Sequence, residues 1–220
     1  MADTKISALT AVSSVVGAQE LAVNDSAVSK KATFTQVSAF LRDTEGFVRT
    51  VAREVTLINI VSSVAETDIF NQTIAANLMS TNRMLRLTIH YDRLNNSGAT
   101  ETAATLRVYT GGTVRYADAG LALPANASRV PGRYVFEFGM QNASNVMILN
   151  GILLQHTAGG ATTGLGNKAT DEIGENCPMA SNGTFTQDTT AAWALRVTMQ
   201  LGTNASTVDF RRHYAVLELV

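Results

Sequence analysis

Residues Arg83 to Val114 read RMLRLTIHYDRL, NNSG, ATETAATLRVY, TGG and TV, and this stretch decides the fold. In its first run Leu85, Leu87, Ile89 and Tyr91 fall on one face, with Arg86, Thr88, His90 and Asp92 on the other. A strict period of two marks a strand with one buried side. Asn95-Asn96-Ser97-Gly98 tolerates positive φ, so the chain is expected to turn back there. The second run repeats the pattern, with Ala104, Leu106 and Val108 inward and Thr105, Arg107 and Tyr109 outward. Gly111-Gly112 then predicts a tight hairpin turn into Thr113-Val114-Arg115-Tyr116. The two runs read as the middle of an antiparallel β-sandwich.

The same signals recur on both sides. Val48 to Val61 is apolar and β-branched with imperfect alternation, as in a strand covered on both faces. Glu66-Thr67-Asp68-Ile69-Phe70 begins a strand that runs to Ile74. Pro124 and Pro131-Gly132 are expected to bound a loop, after which Tyr134, Phe136, Phe138 and Met140 alternate inward. Val146, Ile148, Ile152 and Leu154 predict a further strand. Trp193, Leu195, Val197, Met199 and Leu201 predict another, and Phe210 to Val220 the last. Residues 157–183 are rich in Gly and Thr and hold no periodicity, which predicts a long exposed loop. The sum is eight or nine strands. The expected fold is all-β, an antiparallel jelly-roll-like β-sandwich over residues 47–220.

Composition narrows the function classes. A formal net charge of −1 lacks the basic excess of a nucleic-acid-binding surface. Charged residues make up 16% of the chain, below the roughly 25% usual for soluble domains, and a charge-poor surface favours assembly. Cys177 is the one cysteine, so no intrachain disulfide and no CxxC site can form. The first residues lack the apolar core of a signal peptide, and no apolar run approaches the about 18 residues of a membrane span. No membrane partner, nucleic-acid partner or cofactor is expected.

Residues 1–46 differ in character. Ile6, Leu9 and Val12 sit among Ser, Thr and Ala, while Leu21-Ala22-Val23 and Lys30-Lys31-Ala32-Thr33 look extended. A short helix follows, with Thr33 as N-cap and Gln36 completing a Thr-x-x-Gln capping box. Phe34 opens it, Val37, Phe40 and Leu41 share one face, and Gly46 ends it. Short apolar clusters of this kind need a partner surface. The segment is expected to be an extended N-terminal anchoring arm with one short helix.

Three spaced elements in this arm carry a resemblance: Lys5-Ile6-Ser7-Ala8-Leu9-Thr10, Glu20-Leu21-Ala22-Val23, and Lys31-x-Thr33-x-x-Gln36-Val37-x-x-Phe40-Leu41. Together they resemble the N-terminal segment of many tailed-bacteriophage virion proteins. The pieces Glu66–Phe70, Arg83–Leu87, Asn95–Gly98, Leu106–Val108 and Gly111–Thr113 resemble a phage structural domain. The resemblance implies a non-enzymatic structural component of the virion, made in the host bacterial cytoplasm. The resemblance does not choose a location; taken with the charge-poor surface and an arm that cannot fold alone, the expectation is a capsid decoration, cement or head-fibre protein whose β-domain forms a homotrimer. Ile6, Leu9, Val12, Leu21, Val23, Phe34, Val37, Phe40 and Leu41 would anchor it to another virion protein, either the major capsid protein or a tail or connector protein. A tail fibre or tail adaptor, with the 157–183 loop on a host receptor, is the alternative.

His90, His156 and His213 fall on different strands without a His-x-His pair, and His90 shares the polar face with Arg86 and Thr88, against a metal site. Glu137 and Glu218 face outward on alternating strands, as glycosidase carboxylates could, but so do ordinary surface acids. Trp193 lies in phase with Leu195 and Val197, so it reads as core and not as a sugar platform. A carbohydrate-binding or glycan-cleaving jelly roll is the least favoured reading. Arg86, His90, Arg107, Tyr109, Arg211 and Arg212 are the candidate subunit contacts.

Overall fold

The computed structural model describes residues 20–25, 28–37, 48–123, 125–156, 173–178 and 184–220. The chain divides into two compact units, Met1–Val48 and Arg49–Val220. In the first, β1 (Glu20–Asp25) and β2 (Val28–Thr33) form an antiparallel hairpin with Glu20 opposite Thr33. Helix α1 (34–37) follows. The Thr33 amide donates to Gln36 Oε1 at 2.8 Å, and the Gln36 amide donates to Thr33 Oγ1 at 3.1 Å. These are the two reciprocal bonds of the expected capping box. Phe34 and Val37 are half-buried. Ile6, Leu9, Val12, Phe40, Leu41 and Gly46 lie outside the described residues, and Leu21 and Val23 are described through their backbone in β1.

The second unit is an antiparallel sandwich built on β3 (Arg49–Glu54), β4 (Ile58–Val61), β5 (Thr67–Ile74), β6 (Met84–Asn95), β7 (Glu101–Thr110), β8 (Thr113–Leu123), β9 (Asn126–Met140), β10 (Val146–His156), β11 (Ile173–Pro178), β12 (Thr184–Thr186), β13 (Trp193–Gln200) and β14 (Val208–Leu219). The small sheet has the order β5-β13-β7-β8. The large one runs β11-β10-β9-β6-β14-β3, with β4 also on β14 and β12 on β10. The pairings nest. β7 pairs β8, β6 pairs β9, β5 pairs β13, and β3 and β4 pair β14. The core of the domain is thus one long hairpin rolled into two facing sheets, the jelly-roll arrangement. Strands β10 to β12 are inserted between β9 and β13 and widen the large sheet.

The Gly111–Gly112 turn is the tip of that hairpin. Both glycines have positive φ, 57° and 82°, as a two-residue type I′ turn requires. Asn95–Gly98 does something else. It carries the chain from the large sheet, where β6 pairs β9 and β14, to the small one, where β7 pairs β8 and β13. Asn95 holds this corner from inside: its Nδ2 donates to the Ala99 and Leu123 carbonyls at 2.9 and 2.6 Å, and its Oδ1 accepts from the Ser97 hydroxyl at 2.6 Å. So β6 and β7 face each other across the core and are not hairpin partners.

The core lies between the sheets. Leu85, Leu87, Ile89 and Tyr91 of β6 meet Leu106 and Val108 of β7 and Trp193, Leu195, Val197 and Met199 of β13 in one cluster. Four aromatic rings run side by side through it. Tyr91 stacks on Tyr134 at 4.6 Å and on Phe210 at 4.9 Å, and Tyr134 stacks on Phe136 at 6.0 Å. The inward face of β6 continues past its apolar residues to Arg93 and Asn95, each 1% exposed.

Several expectations are corrected. Val48–Val61 is not one strand covered on both faces: it breaks at Val55 and Leu57, which are 70% and 53% exposed. The stretch between Pro124 and Pro131-Gly132 is not a loop: β9 begins at Asn126, and Pro131 lies within it, opposite Asp92. It stands one residue beyond Gly132, the last partner of β10, so no ladder on that side is broken. On β10 Met147, Leu149 and Gly151 are buried, while Val146, Ile148 and Ile152 are half-exposed, because both faces of that strand are apolar in sequence. Thr105 is buried between Ala104 and Leu106, where β7 is bulged against β8. Cys177 is on β11, opposite Leu153, so residues 157–183 are not entirely loop.

Candidate functional site

The sandwich presents two outer faces and one apolar edge. On the small sheet, Glu66 gathers side chains from β7 and β13. Its Oε1 accepts from the Tyr109 hydroxyl at 2.6 Å and the Thr198 hydroxyl at 2.8 Å. Arg107 reaches its Oε2 at 3.3 Å and also donates to Gln200 at 2.9 Å. Arg196 pairs with Asp68 and lies over the Tyr109 ring, 4.9 Å from its centre. The Tyr109 hydrogen bond is the main cause that holds the Glu66 carboxyl below its ordinary range, and burial with the Glu66 bond pushes the Tyr109 phenol up. The network is closed on itself.

The outer face of the large sheet is organised in rows, because cross-strand partners stand side by side. Glu218, Arg86 and Glu137 form one row, with Arg86 bound to Glu137 at 2.9 Å. The two carboxylates therefore flank an arginine two strand spacings apart, an ion-pair row and not an acid–base pair across a groove. Tyr214, His90 and Arg133 form the next polar row. Beyond it Arg129 donates to both oxygens of Asp209, at 2.7 and 2.6 Å, and to Asp92 at 2.6 Å. His213 Nε2 lies 2.7 Å from the other Asp92 oxygen. His213 reaches it because β14 is bulged between Arg212 and Tyr214, and a bulge re-aims the extra side chain.

The edge is formed by β3 and β4. Val55, Leu57, Val61 and Val64 are exposed by 70%, 53%, 40% and 46%, so most of the exposed large hydrophobics among the described residues of this unit lie in one short stretch.

The six candidate contacts do not form one surface. Arg86 and His90 lie on the outer face of the large sheet, whereas Arg107 and Tyr109 lie on the opposite side of the sandwich. Arg211 is half-exposed and donates to Asn59 on β4 at 3.3 Å. Arg212 is corrected outright. It is 2% exposed, donates to the Glu54 carbonyl at 2.9 Å and pairs with its carboxylate at 3.0 Å, so it holds β3 to β14 and offers nothing to a partner. Burial lowers its pKa, partly offset by Glu54.

Sequence reasoning missed Arg129, Asp209, Asp92, Arg133 and Tyr214 as a group. They come from three strands far apart in the chain, and the bulge that aligns them has no local signal. Among the described residues no group of three or more His, Cys, Asp or Glu is placed to hold a metal ion. No helix among them is long and apolar enough to cross a membrane. Comparison of the chain with protein-family models, curated proteins and solved structures finds no match.

Proposed function

We propose that this protein is a structural component of a bacteriophage virion that works by assembly. In this reading it is a capsid decoration, cement or head-fibre protein, anchored by its N-terminal arm and associated through its β-domain as a homotrimer. The observation that carries the assembly reading is the apolar edge: Val55, Leu57, Val61 and Val64 are exposed next to an outermost strand. Exposed apolar residues grouped beside a sheet edge are a liability in a free monomer and an asset in an interface. The closed ion-pair networks on both outer faces fit a scaffold better than a reaction centre. The phage assignment itself is supported by the three spaced sequence elements of the arm.

Sedimentation of the full chain tests this. The wild type is expected as a trimer, and Val55→Ser/Leu57→Ser as a monomer with unchanged far-ultraviolet circular dichroism. A wild-type monomer at every concentration sinks the assembly reading, and imaging of intact particles without this chain at the head sinks the location.

A further inference from the structure

The apolar edge formed by β3 and β4 carries charge of one sign. Arg49 and Arg53 of β3 are exposed, and Glu54, the acid on the same strand, is taken up by Arg212. Val55 and Leu57 follow directly, so exposed aliphatic side chains stand close to exposed guanidinium groups. The edge shares its flank of the sandwich with β5, where the Asn71 amide donates to Glu54 Oε1 at 3.5 Å.

The other flank carries the opposite combination. There β8 is the outermost strand of the small sheet. Arg115 ties it to β12, donating to the Thr186 carbonyl at 2.7 Å and lying over the Phe185 ring. Among the described residues of this unit, Val114 and Tyr214 are the exposed large hydrophobics outside 55–64, and Val114 is on β8. Asp188 is close to it. A Cβ on Gly111, in the turn before β8, would meet Gln187 Oε1 at 2.9 Å, so residues 187–188 lie beside the start of that strand. Asp188 is exposed, and its Oδ1 accepts from the Thr190 hydroxyl at 2.6 Å and the Thr190 amide at 2.8 Å. Those bonds, the hydroxyl first, hold its carboxyl below the ordinary range. A fixed carboxylate therefore faces water near an exposed valine.

Symmetry and charge together choose between two ways of covering the edge. In a two-fold contact the edge meets itself, which sets the arginines of one copy against those of the other, and like charges across a strand pair are destabilising. A ring joins two different surfaces, and the two flanks match in apolar character and oppose in charge. We infer that the next copy of this chain covers the edge with its β8 flank, Val114 against Val55 and Leu57, and Asp188 against Arg53. The inference rests on the assembly reading and names the surface that completes it.

Sedimentation velocity of single and paired variants tests the contact. Val114→Ser and Arg53→Glu should each weaken association about tenfold, with unchanged far-ultraviolet circular dichroism. Arg53→Glu combined with Asp188→Lys restores opposite signs and should recover the wild-type mass at the wild-type concentration. Where Val114→Ser fails to fold, Val114→Thr keeps the branched shape and removes half of the apolar surface. An oligomeric wild type indifferent to the Val114 change, or a paired variant no better than Arg53→Glu alone, overturns this contact and leaves the assembly reading standing. A two-fold dimer in place of a ring overturns it as well. A wild type that stays monomeric overturns both.

Discussion

The phenol ring of Tyr91 lies directly over Gly132, its cross-strand partner on β9. A Cβ at Gly132 would overlap the ring carbons and hydroxyl of Tyr91, which cannot slide because the ring is stacked on both Tyr134 and Phe210. Gly132→Ala should therefore destabilise the domain by about 1–3 kcal/mol through overpacking. Equilibrium urea unfolding reads the loss. In Tyr91→Leu the same alanine should cost clearly less, and equal costs in both backgrounds would show that the ring is not what excludes the methyl.

Arg212 and Glu54 join two strands through a pair that is almost wholly out of water on the arginine side. Removing one partner leaves the other charge uncompensated. Arg212→Ala is expected to cost about 3–5 kcal/mol, and Arg212→Met with Glu54→Gln substantially less. Thermal and denaturant unfolding of the two variants side by side decides it.

The Glu66 network makes stability depend on acid. Hydrogen bonding from Tyr109, above all, lowers the folded-state pKa of Glu66, so the unfolded chain takes up its proton first. The contribution is fully present above the unfolded value of about 4.3 and is lost as pH falls through the lower folded value. Because the carboxylate is 29% exposed, solvent screening keeps the effect to about 1 kcal/mol. Glu66→Gln should lose that much at pH 7, and the gap to wild type should close on acidification. A gap that widens in acid would reverse the assigned sign.

Val55 and Leu57 contribute little to their own domain, being largely exposed. Val55→Ser/Leu57→Ser should shift unfolding free energy by no more than about 0.5 kcal/mol under conditions where the chain is monomeric. A larger loss measured on the monomer would place these side chains in the fold and not in an interface.

The fold was legible where one face of a strand is apolar and the other polar. The β6 alternation and the Trp193–Leu201 phase follow from period-two patterning alone, and the Gly111–Gly112 turn from glycine's freedom at positive φ. So does the Thr33–Gln36 capping box, whose geometry is local. Reading failed where burial comes from distant strands. Leu149 and Ile148 are equally apolar, and only the position of β10 relative to the small sheet decides which faces the core. Arg212 and His213 read as one basic cluster because the bulge that turns one inward and the other outward is set by β6. The row Tyr214–His90–Arg133 was invisible for the same reason, since its members meet through register between three strands.

The nested pairing has a kinetic side. β7 and β8 are joined across two residues, so their pairing costs the least loop closure, and each outer pair joins ends that the pair inside it brings near. The cost of loop closure rises slowly with loop length, so such zippering lowers the entropy barrier at each step. The inserted strands β10 to β12 interrupt it, for β13 must return across them to reach β5 and β7. Strand β14 then joins β6 to β3 and β4, pairings of very high sequence separation. High contact order makes that final docking slow. Until it occurs, the apolar edges of β6 and β4 stand open to the wrong neighbour, so folding yield should fall with chain concentration.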